Sequence, residues 1–108
     1  MDEALKNACI AFSCGDSEEL LPFMAENIEW KNIGKETIKG KAAIEEICRQ
    51  MQMQPVYLQA SSQFESINHL VVEGHGEAEN EFSFCDIFHF EQHKVVGINS
   101  YLVRHEEF

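Results

Sequence analysis

Glu81-Phe82-Ser83-Phe84-Cys85-Asp86-Ile87-Phe88-His89-Phe90 is the stretch on which the fold turns. Phe82, Phe84, Phe88 and Phe90 share one parity, and Asp86 sits in the middle of their row. Strand side chains alternate faces with period two. The stretch therefore reads as a strand with aromatic rings and one carboxylate on the same side. An aspartate on an apolar face is costly unless it is hydrogen-bonded, paired or protonated. Burial without a cation raises its pKa. The opposite parity carries Cys85, Ile87 and His89.

Three further strand-like runs flank this one: Val56 to Glu65, His69 to Glu77 and Val95 to Arg104. Ala78-Glu79-Asn80 and Glu91-Gln92-His93-Lys94 are the turns between them. Pro55 closes off the region before the first run. Earlier in the chain, Ile28-Glu29-Trp30-Lys31 alternates as an isolated strand, with Ile28, Trp30 and Asn32 on one side. Asn32 through Lys39 reads as a loop or a loose hairpin.

The remaining segments have helical spacing. Leu5, Ala8, Cys9 and Phe12 predict a first helix over Asp2–Phe12, closed by Ser13-Cys14-Gly15-Asp16. Asp16 with Glu19 three residues on predicts a capping box and a short second helix, with Leu20, Phe23 and Met24 buried and Pro22 bending it. Ala43, Ile44, Ile47, Cys48 and Met51 predict a third helix from Lys41. Helices first, then an antiparallel meander with one early strand, is an α+β order in which helices lie on one face of a curved sheet.

The chain has 108 residues, enough for one domain. Its net charge of −11 leaves no basic footprint, which argues against nucleic acid and against an anionic membrane surface. No run approaches the length of a membrane span, and Met1-Asp2-Glu3 does not open a signal peptide. A cytoplasmic protein is expected. Cys9, Cys14, Cys48 and Cys85 form no CxxC pair and read as reduced, buried thiols.

The segments Gly15-Asp16, "NIEWKNIG" (Asn27 to Gly34), "IKGKAAIEEI" (Ile38 to Ile47) and "CDIFHFEQHKVVGINSYLV" (Cys85 to Val103) resemble the nuclear transport factor 2-like superfamily and, within it, the SnoaL-like group. With the element order they span nearly the whole chain. The resemblance implies a cone-shaped roll in which three N-terminal helices close a strongly curved, mainly antiparallel sheet around an apolar pocket. It also implies dimers formed through the outer face of the sheet. Ketosteroid isomerases, polyketide cyclases, epoxide hydrolases, dehydratases and non-enzymes share this fold, so fold does not select a function. One departure is His93, which stands where the last hairpin of such domains usually carries glycine.

Asp86 falls where ketosteroid isomerase-like members place a protonated aspartic acid. Ala8 replaces their helix-one tyrosine, and Asn32 replaces their general-base aspartate. An amide does not abstract a proton near neutral pH, which argues against steroid-type isomerisation by the familiar residues. Asp86 is then either a donor or base facing a ligand, or a buried structural acid bonded to protein. Trp30 suits a ligand stack or the core, and Asn32 suits a ligand contact or a loop cap.

The expected site has walls of Phe12, Met24, Trp30, Phe84 and Phe88, with Asn32, Asp86 and Ser100 as polar points. Its expected ligand is a small apolar or weakly polar organic molecule, with proton transfer by Asp86 if there is catalysis. The alternative is a non-catalytic interaction module whose cavity is filled by its own side chains. No metal is expected from His69, His75, His89, His93 and His105, because no ligand spacing links them. No cofactor is expected, since the glycines form no phosphate-cradling motif. An outer face with Cys85, Ile87, Tyr101 and Val103 is too apolar to leave in water and predicts a homodimer.

Overall fold

A computed structural model describes residues 1–53 and 56–106. Helix α1 spans Glu3–Ser13, and Asp2 caps it by accepting the Ala4 N–H at 3.0 Å. Leu5, Ala8, Cys9 and Phe12 form its buried stripe, as their spacing predicts. The helix ends in a Schellman motif. Gly15 takes the left-handed conformation at φ 96°, and the Asp16 N–H returns to the Ala11 carbonyl at 2.9 Å.

The expected second helix shrinks to a single tight turn. The Asp16 carboxylate accepts the Glu18 N–H at 3.1 Å instead of the Glu19 N–H that a capping box requires. The Leu21 N–H reaches the Ser17 carbonyl at 3.2 Å. Pro22 then has no N–H to continue the ladder, and Leu21–Phe23 is a 3₁₀ turn. The sequence expectation of three helices is thus corrected to two α-helices and this turn. Leu20 and Met24 are nevertheless buried on either side of it.

Strand β1 (Met24–Asn32) follows directly and pairs with the short β2 (Thr37–Lys39). Helix α2 covers Lys41–Gln52. Its buried face is narrower than the apolar spacing suggests: Ile44 and Cys48 are buried, whereas Ala43 and Met51 are exposed. Pro55, expected to end this region, lies outside the described residues.

The meander comprises β3 (Tyr57–Glu65), β4 (His69–Ala78), β5 (Asn80–Glu91) and β6 (Lys94–Arg104). The six strands form one open sheet in the order β2-β1-β6-β5-β4-β3. Its pairs are antiparallel except β1 with β6, which is parallel. Helix α1 lies against β3 and β4, and α2 against β1 and β2. The core fills the space between helices and sheet.

The alternation read in β5 is present. Phe82, Phe84, Asp86, Phe88 and Phe90 all face inward and are buried. Two glycines of β4 make room for these rings. A Cβ on Gly74 would lie 2.3 Å from the Gln59 carbonyl oxygen and 2.4 Å from Phe84 Cζ. On Gly76 it would lie 2.5 Å from the Tyr57 carbonyl oxygen and 2.6 Å from Phe82 Cζ. Neither distance leaves space for a side chain, so the aromatic row is laid over a bare stretch of its neighbour. At the β5–β6 turn, Gln92 and His93 both have positive φ, 50° and 64°. This is the turn twist that favours glycine and asparagine, and a histidine holds it here.

Candidate functional site

Sheet register brings the three expected polar residues together. Asp86 of β5 pairs with Ser100 of β6, and Ser100 pairs with Asn32 of β1. On the other side Asp86 pairs with Val72 of β4. One cross-strand row therefore runs Val72–Asp86–Ser100–Asn32. It begins at the fully buried Val72, passes Asp86 at 7% exposure, and ends at the half-buried Ser100 and Asn32. The row sets two half-buried polar residues beside a buried carboxyl.

The neighbouring rows hold the walls. Phe84 and Phe88 flank Asp86 on the same face of β5. Trp30 donates its indole N–H to Ser100 Oγ at 2.8 Å. Phe12, delivered by the last turn of α1, stands edge-on to Trp30 with ring centroids 5.2 Å apart and edge-on to Phe88 at 5.9 Å. Met24 is buried at the start of β1. These five apolar residues are thus members of one packed core. Two clefts, of about 560 Å³ around His69, His89 and Gln92 and about 230 Å³ around Tyr57, His75 and His105, involve none of the eight expected site residues.

Burial pushes the Asp86 carboxyl above the usual carboxylate range, against the opposing pull of the Ser100 and Ser13 hydroxyls. Ser13 is a residue that the sequence reading missed. It lies at the end of α1 and is 6% exposed, and its hydroxyl stands near the Asp86 carboxyl without meeting full hydrogen-bond geometry there. It reads in sequence as part of a helix terminator. The available signal was its place four residues after Cys9, on the buried face of α1.

Ser17 is a second buried hydroxyl and lies against Cys48. Burial raises the Cys48 thiol despite that contact, which removes it from the reactive thiolate range. Cys9 is pushed by burial up to about 12. The four cysteines are free thiols, as expected, although Cys14 and Cys85 are only half-buried. Among the described residues no group of three His, Cys, Asp or Glu side chains is arranged to hold a metal.

Ala8 is buried in α1 at 1% exposure and offers no hydroxyl to this site. Asn32, at the outer end of the row, offers an amide and not a base. The assembled group can therefore accept or donate at Asp86, donate at Ser100 and Ser13, and bond either way at Asn32. It has one group able to exchange a proton.

A model of the SnoaL-like domain matches residues 6–98. The structure of an NTF2-like protein of unknown function from Cytophaga hutchinsonii is 30% identical, covers 95% of this chain and 99% of its own, and superposes with a TM-score of 0.86. A Mycobacterium tuberculosis LEH-like epoxide hydrolase is 15% identical over 93% of this chain and 77% of its own, with a TM-score of 0.69. A ketosteroid isomerase-like protein from Catenulispora acidiphila, in complex with trimethylamine, is 11% identical over 94% of this chain and 85% of its own, with a TM-score of 0.71. At such identity the last two likenesses concern the fold alone. No curated protein matches the chain in sequence.

Proposed function

Because the chain belongs to the SnoaL-like family, we propose that it binds a small organic molecule between α1 and the sheet, with Asp86 as its principal polar contact. The observation that carries this reading is the row Asp86–Ser100–Asn32. It joins two half-buried polar residues to a carboxyl that the protein buries without a counter-charge among the described residues. Such a group is expensive to keep. A ligand that bonds it offsets the cost. Phe12, Met24, Trp30, Phe84 and Phe88 are the apolar surroundings of the bound molecule, and Ser100 and Asn32 its further contacts. Similar folds serve an epoxide hydrolase and a trimethylamine complex, so small molecules suit this architecture. If the protein turns its ligand over, Asp86 moves the proton, in an isomerisation, cyclisation, dehydration or hydrolysis.

The outer face of the sheet supports association of two copies. Tyr101 and Val103 are 39% and 65% exposed there. Beside them, Cys85 and Ile87 are only half-buried.

A second reading rests on the packing. Phe12, Trp30 and Phe88 interlock edge-on, and all are at most 8% exposed. A core closed by these rings fits a non-catalytic interaction module that uses its outer face. A thermal-shift screen against a small-molecule library, run on wild type and on Asp86→Asn, separates the two. The binding reading predicts a chemical class that raises the wild-type Tm and loses that effect in Asp86→Asn. A flat response from both proteins across the library favours the filled-core module.

A further inference from the structure

No ligand spacing in the sequence links His69 to His89, but the sheet brings them together. They are register partners across β4 and β5. The Phe90 N–H donates to the Asn68 carbonyl at 2.9 Å. A bond in that position flanks the pair and does not join it. His69 and His89 are therefore a non-hydrogen-bonded pair, the kind whose side chains stand closest. Their rings meet edge-on with centroids 4.7 Å apart. With metal–nitrogen bonds of about 2.0–2.1 Å, two imidazoles on neighbouring positions of one ion have centroids about 4.5–5.2 Å apart. The observed separation falls inside that range.

The two rings are held differently. His89 is half-buried and lies over Gly97 of β6, where an added Cβ would sit 3.6 Å from His89 Cδ2. His69 is exposed and opens β4, after a turn in which the Ser66 N–H donates to the His69 carbonyl at 2.9 Å. That turn brings Ser66 Oγ to 3.4 Å from His69 Nδ1. With Nδ1–H donating to the hydroxyl, the neutral ring has its lone pair on Nε2. Histidine ligands are commonly oriented in this way, by an outer partner on the other ring nitrogen. Both rings line the cleft of about 560 Å³, together with Asn68, Glu91 and Gln92. It has room for water or another donor at the positions that two histidines leave open. Lys31 is a nearby cation, and its repulsion is opposed by Glu91 in the cleft wall and by the net charge of −11.

We propose that the cross-strand pair His69–His89 binds a divalent transition-metal ion of the zinc class, through Nε2 of His69 and one nitrogen of His89, with the ion's other positions open to the cleft. Imidazole suits such ions, whereas magnesium and calcium prefer oxygen donors. Two ligands from the chain hold the ion exchangeably, unlike the four of a structural zinc site. The pair lies on the face of β5 opposite Asp86, so it is independent of the ligand reading made there.

The test is a calorimetric titration of Zn²⁺ into the full, reduced chain at neutral pH, with Mg²⁺ as the comparison ion and nitrogen NMR of the histidine rings in parallel. One zinc ion binds per chain with a micromolar Kd, and magnesium gives no response. His69→Gln and His89→Gln each weaken that Kd by about a hundredfold, because a lone donor loses the gain of the second. His75→Gln, further along β4, leaves it unchanged. The His69 and His89 ring signals move together as zinc is added, and His69 starts in the Nδ1–H tautomer. Zinc binding that survives both pair variants overturns the proposal, because the ion then sits on thiols or on the acidic surface. An absence of binding up to millimolar zinc overturns it as well. A His69 ring that starts in the Nε2–H tautomer overturns the assignment of Nε2 as donor and of Ser66 as its orienting partner.

Discussion

Two of the titratable groups of strand β5 stand three residues apart and on opposite faces, Asp86 inside and His89 outside. Burial acts on both by penalising their charged forms, so it raises the carboxyl and lowers the imidazole. Their neighbours differ in sense. At His89 the next causes, His69 and Lys31, push the same way as burial. The His69 and His89 rings stand edge-on with centroids 4.7 Å apart. At Asp86 the neighbours oppose burial, because the Ser100 and Ser13 hydroxyls favour the charge that desolvation disfavours. The outer group has every influence driving it neutral. The inner one is contested, and a contested buried group responds to whatever arrives beside it.

The contrast between faces is broken most severely by emptying the inner one. Phe88 is fully buried and packs against Phe12. Phe88→Ala should cost about 3–5 kcal/mol in denaturant unfolding, through lost transfer energy and the cavity left behind. Ile87, its neighbour on the other face, is half-buried. Ile87→Ala should cost about 1 kcal/mol. A loss at Ile87 that grows with protein concentration would show that a second copy covers the outer face, as in the proposed dimer.

A finer test uses pH. Asp86 has a raised native pKa, so the native state holds that proton more tightly than the unfolded chain. Its contribution to stability is full below the unfolded pKa of about 3.9 and is lost as pH rises through the native value. Asp86→Asn should therefore raise the Tm at pH 7 and lose that advantage near pH 4. His89 has a lowered native pKa, so the unfolded chain binds its proton first. The His89 contribution to stability should fall as pH drops below about 6.5, by a modest amount because His89 is only partly buried. His89→Gln should flatten that fall. Equal Tm values for wild type and Asp86→Asn at pH 7 would mean that the hydroxyls fully compensate the burial of Asp86.

These faces were legible in the sequence to different depths. The aromatic alternation of β5 announced its inner face, since period two is a local property and four rings make it unambiguous. The α1 stripe and its closure at Gly15 were legible for the same reason. The second helix was not, because the capping signal of Asp16 is local while Pro22 decides how far the turn propagates. The polar row was legible as three candidates and not as a row. Joining Asn32 to Ser100 requires the parallel pairing of β1 with β6, a contact between distant parts of the chain. Ser13 escaped because a serine before Cys14-Gly15 reads as a helix end, and its burial follows only from how α1 lies on the sheet. The outer face was legible as apolar, through Cys85, Ile87, Tyr101 and Val103.

The smallest expected effect lies at the turn that feeds both faces of β5 into β6. His93 adopts φ 64°, in the left-handed region. A left-handed conformation costs an L-residue about 1–2 kcal/mol, whereas glycine adopts it freely. Glycine also has more freedom to lose on folding, by roughly 0.5–1 kcal/mol. The difference favours His93→Gly by about 0.5 kcal/mol, visible as a small rise in the denaturant midpoint with an unchanged slope. A fall in that midpoint would mean that the His93 side chain contributes more than its backbone strain removes. The register joining Phe88 to Ile98 and Asp86 to Ser100 would then depend on a contact made by the histidine as well as on the turn's shape.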